Sequence, residues 1–281
     1  MKTVSANLLA HLQGVALTVS TLWKVTRTDA QVFGFTDNSS DLSYLGTTYL
    51  ASTGHTPSNI HSTLDLSVDN LEIVSVLDST LITDSDIAAG LWDNALVEVM
   101  VVNYNSLADG HMTLRTGTIG DIKTGRTHFT AELRGMMQPL QQTIGRTYKA
   151  GCDALLGDSR CAKALGAFTF SGTVTGVTSN RIFVSSALVN PTGYFSSGTL
   201  TWTSGANTGL TAEVKTSVLG SGNTITLYLQ MPRPIAIGDT YSIIAGCDKT
   251  YSTCYTKFGN ITNFRGFPHI PGADVLVSGQ S

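Results

Sequence analysis

Residues 198–230 of the 281-residue chain read GTLTWTSGANTGLTAEVKTSVLGSGNTITLYLQ. Three short runs rich in Thr, Val, Leu, Ile and aromatic residues lie at 198–202, 211–216 and 224–230, and Gly and Asn are frequent between them. β-Branched and aromatic residues favour strands, whereas Gly and Asn favour tight turns. The stretch therefore predicts three short strands joined by turns.

The same pattern of short β-type runs and turn residues continues on both sides of this stretch. Further β-type runs lie at 168–177, 181–184 and 241–245, again separated by Gly, Asn and Pro. Several short strands with turn residues between them are typical of a small all-β fold. We therefore expect residues 166–245, called the β-domain below, to form a small barrel-like domain.

The residues before the β-domain mix β-type runs with a few short helices. The patterns predict helices at 5–14, 83–90 and 131–142, hairpins at 18–36 and 111–133, a buried strand at 95–104, and β-type runs at 43–51 and 63–77. Pro139 is expected to end or kink the third helix. The fold class expected is mainly β, or β-rich α+β, with sheets and few short helices before the barrel-like domain.

The chain is poor in charge. Charged side chains make up 13% of it, against about 25% in an ordinary soluble domain. Interface cores are depleted in charge, so this composition indicates either a subunit of an assembly or simply a Thr- and Ser-rich β-protein. A net charge of −3 argues against specific nucleic-acid binding. No run approaches the roughly 18 apolar residues of a membrane span.

Four cysteines bracket the β-domain. Cys152 and Cys161 are separated by eight residues, Cys247 and Cys254 by six, and 85 residues lie between the two pairs. If the domain begins and ends at adjacent points, all four sulfurs meet at its base. His11 and Gly14 interrupt the N-terminal apolar patch before a signal-peptide core forms, so we expect the thiols to mature in a reducing cytoplasm.

Four converging thiolates suit either a structural zinc ion or an iron–sulfur cluster. Structural zinc is usually held by pairs of ligands with about two to four residues between them, so gaps of eight and six favour the larger cluster. Two disulfides, or four unrelated buried thiols, are the remaining interpretations.

The C-terminal part carries a distinctive string: MPRPI at 231–235, GD at 238–239, AGCDK at 245–249, TC at 253–254, KF at 257–258, Asn260, and NFRGFPHIPG at 263–272. Together with shorter matches at 26–27, 34–37, 66–72 and 203–209, it resembles a family of phage tail-tip hub proteins. That family includes the hub proteins of gene transfer agents and is related to the tail-tip protein L of lambda-like phages. The resemblance covers nearly the whole chain.

The resemblance implies a homotrimeric structural hub in the tail tip of the virion, assembled in the cytoplasm of the host bacterium. Such a hub closes the tail tube between the distal tail protein and the central fibre or receptor-binding tip protein, and DNA crosses its lumen without specific binding. Lambda-type tip proteins hold a [4Fe-4S] cluster on cysteines with gaps of eight and six. The resemblance therefore implies this cluster on Cys152, Cys161, Cys247 and Cys254, with zinc as the alternative.

The strand pattern and the cysteine positions, together with the hub resemblance, lead us to expect four parts in the chain. The expected parts are a hub body at 1–150, a first cluster-binding loop at 151–165, the β-domain at 166–245 as an insert, and a second cluster-binding loop at 246–281 whose tail packs on the hub. The long separation between the cysteine pairs indicates that the insert is enlarged.

Histidines and charged residues near the cysteines are further candidates for chemistry. The six histidines, His11, His55, His61, His111, His128 and His269, show no metal-type spacing. Asp248, Lys249 and Arg265 are candidates for neutralising an anionic cluster, with a solvated loop as the alternative. His269 is expected to be packed and hydrogen-bonded. No nucleophile or phosphate-loop motif is present, so we expect no enzyme; a zinc-stabilised tail assembly protein and a tail-associated cysteine peptidase are the alternatives.

Overall fold

A computed structural model describes residues 4–51, 56–57, 70–76, 82–124, 128–135, 138–141 and 144–270. The chain divides into two compact units, residues 1–143 and 144–281. The described residues contain sixteen strands and three short α-helices, so the prediction of a mainly β fold is confirmed. None of these helices has the length and apolar character needed to cross a membrane. The four-part division at 150, 165 and 245 stays a prediction.

The N-terminal unit is built on one nine-stranded sheet with the order β3-β4-β2-β1-β7-β8-β9-β6-β5. Only β2 and β4 pair in parallel among its described strands. The strands are β1 (Val19–Thr26), β2 (Val32–Thr36), β3 (Leu42–Tyr44), β4 (Thr47–Leu50), β5 (Thr56–Pro57), β6 (Asn70–Val76), β7 (Leu96–Asn103), β8 (His111–Thr124) and β9 (His128–Gly135). The helices are α1 (Ala6–Leu12) and α2 (Asp84–Ala88), capped by Ser5 and Thr83 as the sequence predicts.

Strands β1 and β7 lie at the centre of this sheet and pair antiparallel along their whole length. Their apolar side chains alternate into a core that includes Trp23, Val97 and Val99. The predicted hairpin at 18–36 is confirmed as β1 and β2. At its turn, Arg27 pairs with Asp29 and Asp86, and its guanidinium lies 5.4 Å from the ring centroid of Trp92.

The predicted helix at 131–142 is wrong. Residues up to Gly135 continue β9, and only Gln138–Gln141 form a short 3₁₀ helix. The Leu, Met and Gln residues there favour a helix locally, but pairing on both sides with β6 and β8 gives Ala131 and Leu133 buried places in the core. Met136, Met137, the run at 63–69 and the tail at 271–281 lie outside the described residues.

The C-terminal unit contains a seven-stranded antiparallel sheet with the order β10-β16-β13-β14-β15-β12-β11. The strands are β10 (Thr169–Thr173), β11 (Gly176–Ser179), β12 (Ile182–Ser185), β13 (Thr199–Trp202), β14 (Thr211–Leu219), β15 (Asn223–Leu227) and β16 (Thr240–Ile244); the helix is α3 (Tyr251–Thr256). All six predicted runs form strands, and the run at 168–177 divides into β10 and β11. The sheet is curled, and β10 and β12 to β16 supply side chains to one shared core.

Aromatic side chains fill the centre of this curled sheet. Phe183, Trp202 and Tyr241 are almost fully buried, and their ring centroids lie 5.3 to 5.9 Å apart. Strand β14 pairs with β13 on one side and with β15 on the other, and its register with β15 shifts between Val214 and Thr216. A bulge of this kind bends a strand and lets the sheet close around its core.

Candidate functional site

Two segments flank the β-domain within the C-terminal unit, residues 144–165 and 246–270, and we call them together the cysteine module. The structure places all four cysteines around one cavity. Cys161 is buried, and Cys152, Cys247 and Cys254 are partly exposed. The other residues lining the cavity are Ala154, Leu156, Lys249, Thr250, Phe258, Asn260 and Asn263.

The β-domain itself brings the two segments together. Its first and last strands, β10 and β16, are neighbours in the sheet, and Thr169 lies opposite Ile244. The amide of Ala245 also donates to the carbonyl of Phe168 at 2.8 Å. The chain therefore leaves the domain where it entered, and this closes the gap of 85 residues between the cysteine pairs.

The first segment is shaped by two aspartates. Asp158 accepts hydrogen bonds from the amides of Leu155, Arg160 and Cys161, at 2.8, 2.9 and 2.6 Å. Asp153 accepts from the guanidinium groups of Arg146 and Arg160 at 2.5 and 3.1 Å. The hydrogen bond from Arg146 is the main reason that the pKa of Asp153 falls to about 2. These contacts wrap the chain between Cys152 and Cys161 into a compact loop.

The second segment carries Cys254 on a helix. Thr250 caps α3 by accepting a hydrogen bond from the amide of Thr253 at 3.2 Å. Asp248 accepts in turn from the hydroxyls of Thr250 and Thr253, at 2.8 and 2.9 Å. Asp248 therefore organises the turn between Cys247 and the helix.

Direct contacts join the two segments. The amide of Cys152 donates to the carbonyl of Lys249 at 2.8 Å, and the ammonium of Lys249 donates to the carbonyl of Ala154 at 2.6 Å. The amide group of Asn260 donates to the carbonyl of Cys161 at 2.6 Å, and the thiol of Cys254 donates to the carbonyl of Asn260 at 3.4 Å. Lys249 and Asn260 thus each connect one cysteine loop to the other.

The thiols influence one another electrostatically. Burial is the main factor that raises the pKa of Cys254, and the negative charges that Cys152, Cys247 and Cys161 carry as thiolates raise it further. Four thiolates around one cavity therefore repel one another, and a bound cationic centre would relieve that repulsion.

The chemistry of the donor set fits a metal centre, since thiolates bind both zinc and iron–sulfur clusters. Among the described residues, no three His, Cys, Asp or Glu side chains form a group that could hold a metal ion. The cavity that the thiols line has a volume of about 20 Å³, close to the space of one water molecule, so a four-iron cluster would require the cysteine loops to move apart. All four cysteines are free of disulfides in this structure. Their assignment as ligands stays a prediction.

The remaining predicted residues have different surroundings. Lys249 lines the cavity, and Asp248 shapes its rim as described above. Arg265 is exposed and donates to the carbonyl of Arg160 at 3.2 Å. His269 is exposed on a turn, so the expectation that it packs in an aromatic loop is wrong. The sequence analysis did not predict the role of Asn260, although this residue belongs to the distinctive C-terminal string.

Two protein-family models match different parts of the chain. Residues 5–164 match the family model described as "Baseplate hub protein, N-terminal attachment domain". Residues 193–274 match a second model, "Phage conserved hypothetical protein BR0599". No curated protein matches the chain.

A solved structure also resembles the chain over nearly its full length. It is a chain of the "Virion of native gene transfer agent (GTA) particle", with 36% identity and a TM-score of 0.84. The match covers 98% of this chain and 96% of that one. Because the first family model spans more than half of the residues, this chain belongs to the phage baseplate hub protein family.

Proposed function

We propose that this protein is a structural tail-tip hub subunit of a long-tailed phage or a related particle. In this role it forms a homotrimer that closes the tail tube, binds the distal tail protein on one side and carries the central fibre or receptor-binding tip protein on the other. Its membership of the baseplate hub family and its similarity to a chain of a gene transfer agent virion support a structural protein of the virion tail.

We further propose that Cys152, Cys161, Cys247 and Cys254 hold one structural [4Fe-4S] cluster. The observation that carries this proposal is that all four cysteines line a single cavity although 85 residues separate the two pairs. The first pair lies in the segment matched by the hub domain, and the second pair in the segment matched by the other family model.

The gaps of eight and six residues within the cysteine pairs favour a cluster over a single zinc ion. Tetrahedral zinc needs four sulfurs at about 2.3 Å from one point. In this structure the four thiols surround one cavity. A cluster presents separate iron corners, so its ligands converge less closely.

The four thiolates would act as ligands, and the group would supply a cross-link between the two cysteine segments. Ligand binding of this kind adds to the folding free energy because the unfolded chain has no preformed site. Hydrogen bonds from Asn260 and Lys249 fix the two segments relative to each other, and the β-domain brings their ends together. The proposed role of the group is structural.

We propose no catalytic role. The described residues that line the cavity include no histidine, and a cysteine peptidase needs such a base beside its thiol. The structural character of the matched family also supports this interpretation.

The experiment is anaerobic purification followed by visible absorption spectroscopy and iron and sulfide analysis. The expected result is a brown protein with about four irons per chain. Each of Cys152→Ser, Cys161→Ser, Cys247→Ser and Cys254→Ser should lose most of the iron, and Ser159→Ala in the first loop is the control. A colourless protein rich in zinc, or a single variant that keeps all its iron, would overturn the cluster.

The assembly is tested separately. Cryo-electron microscopy of tails containing the protein should show three copies around the tail axis, in contact with the distal tail ring. One copy or six copies would overturn the trimer without bearing on the cluster.

A further inference from the structure

Charge is distributed unevenly between the cysteine module and the rest of the chain. The module contains seven Lys and Arg side chains and three Asp side chains, a net charge of +4. The whole chain has 17 basic and 20 acidic side chains, a net charge of −3, so the residues outside the module carry −7. An acidic chain thus concentrates positive charge around its four thiols.

Two of the three arginines of the module have carboxylate partners. Arg146 and Arg160 both pair with Asp153, at 2.5 and 3.1 Å. Three partly buried lysines differ: Lys163, Lys249 and Lys257 form no ion pair with a carboxylate of the described residues. The positive excess of the module therefore includes lysines that adjoin the cysteine loops.

Lys257 has the most restricted position of the three. It follows α3 and lies three residues after Cys254. Its ammonium donates to the carbonyls of Tyr194 and Gly246, at 2.5 and 2.8 Å, and lies 4.4 Å from the ring centroid of Tyr194. These partners are all neutral, and one of them immediately precedes Cys247. The ammonium is therefore held at a defined place beside the backbone of Gly246, the residue before Cys247.

Charged groups lie near Lys257, but no carboxylate of the described residues forms an ion pair with it. Burial lowers its pKa, and the negative charges of Cys247 as a thiolate and of Asp248 act in the opposite direction. The oxygens of Asp248 are directed to Thr250 and Thr253. A partly buried ammonium with neutral partners is costly unless a negative group lies close by. The thiolates that line the cavity can supply such a negative group.

We propose that Lys257, with Lys163 as a weaker contributor, compensates the net negative charge of the four thiolates together with the cluster that they bind. This inference rests on the proposed function, since it requires that the thiolates bind a cluster and that the complex keeps a net negative charge. Lys163 follows Cys161 by two residues and lies 5.2 Å from the ring centroid of Phe168. Net charge near a cluster sets both its stability and its reduction potential.

The test compares anaerobically purified full-length proteins that carry the cluster. Dithionite donates one electron per cluster in a redox titration, and loss of visible absorption gives the midpoint potential. Lys257→Met should lower this potential and speed iron loss to a chelator by roughly tenfold. Lys163→Met should produce a smaller change of the same sign, and Lys257→Arg should restore the wild-type potential. Lys149→Met removes an exposed lysine of the same module and should change neither value.

The outcomes separate this inference from the proposed function. Wild-type protein without iron overturns the cluster itself. Wild-type protein with a cluster, together with Lys257→Met and Lys163→Met variants at the wild-type potential, overturns only the role of the lysines. If Lys257→Met does not fold, Lys163→Met decides, and an unchanged potential in that variant overturns the inference.

Discussion

The β-domain and the cysteine module belong to the same unit but are stabilised differently. Thirteen buried residues form one apolar core in the β-domain. In the module, buried side chains are few, among them Ala154, Cys161, Phe258 and Asn260. Hydrogen bonds, ion pairs and thiols take the place of an apolar core there.

The difference indicates where each region obtains its stability. Full burial of one large apolar side chain contributes about 1.5–3 kcal/mol, whereas one hydrogen bond contributes about 1 kcal/mol net. A β-domain of this composition can maintain its fold by burial. The module lacks that source, so we expect the proposed metal centre to matter most for the module.

The largest effect is expected from Trp202→Ala in the β-domain. Trp202 is 1% exposed at the centre of the core, so its truncation should cost about 3–5 kcal/mol of unfolding free energy. Urea denaturation measures this loss, which should be the same with and without bound iron. Val189→Ala, at a side chain that is 74% exposed, should change stability by less than about 0.5 kcal/mol. A dependence of the Trp202→Ala loss on iron would show that the two regions are not independent.

A slightly smaller effect is expected at the junction between the regions. A Cβ at Gly246 would lie 1.7 Å from the carbonyl oxygen of Ser196, so Gly246→Ala should cost about 3 kcal/mol by overpacking. Gly166 stands at the other junction, and a Cβ there would meet nothing within 4 Å. Gly166→Ala should therefore be neutral or slightly stabilising. Thermal unfolding of both variants measures the contrast, and equal melting temperatures would contradict it.

A third effect concerns alkaline pH and the β-domain alone. Burial raises the pKa of Tyr241 from 10.0 to about 12. Because the unfolded tyrosine loses its proton first, the folded state loses stability between about pH 10 and pH 12, by at most 2–3 kcal/mol. Below pH 10 the tyrosine is protonated in both the folded and the unfolded protein, so no stability is lost there.

Tyr241→Phe removes the titrating group and supplies the comparison for this effect. The variant should lose less stability than the wild type when urea denaturation is repeated between pH 9 and pH 11.5. Parallel curves for the two proteins over this range would refute the assignment.

The smallest effect is expected from Asn260→Ala in the module. Asn260 is buried and joins the second segment to the carbonyl of Cys161, so its loss should cost about 1–2 kcal/mol and loosen the cysteine loops. Amide hydrogen exchange should rise at 152–161 and stay unchanged in the strands of the β-domain. Thr262→Ala, at an exposed neighbour, is the control. Faster exchange in β13 or β16 would contradict the division between the two regions.

Much of the local structure could be predicted from the sequence. Turn residues and β-type runs located the strands of the β-domain, and Ser5 and Thr83 correctly marked helix starts. The helix at 131–142 failed because its residues favour a helix locally but gain more from pairing with two strands that are distant along the chain.

The same contrast between local sequence and long-range contacts applies to the candidate site. Cysteine spacing and the C-terminal string indicated which residues to consider, and both are properties of sequence alone. The positions of Asn260 and Lys257 were not predictable, because each acts through contacts with residues 63 to 99 positions away.

The sequence by itself determined a mainly β chain, its turns, its charge imbalance and the identity of the four thiols, since these depend on composition and short-range pattern. Only the tertiary structure decided that β10 and β16 are neighbours and that all four thiols line one cavity. The physical reason is that strand pairing forms hydrogen bonds between residues far apart in the chain, and the local sequence does not specify which strands will pair.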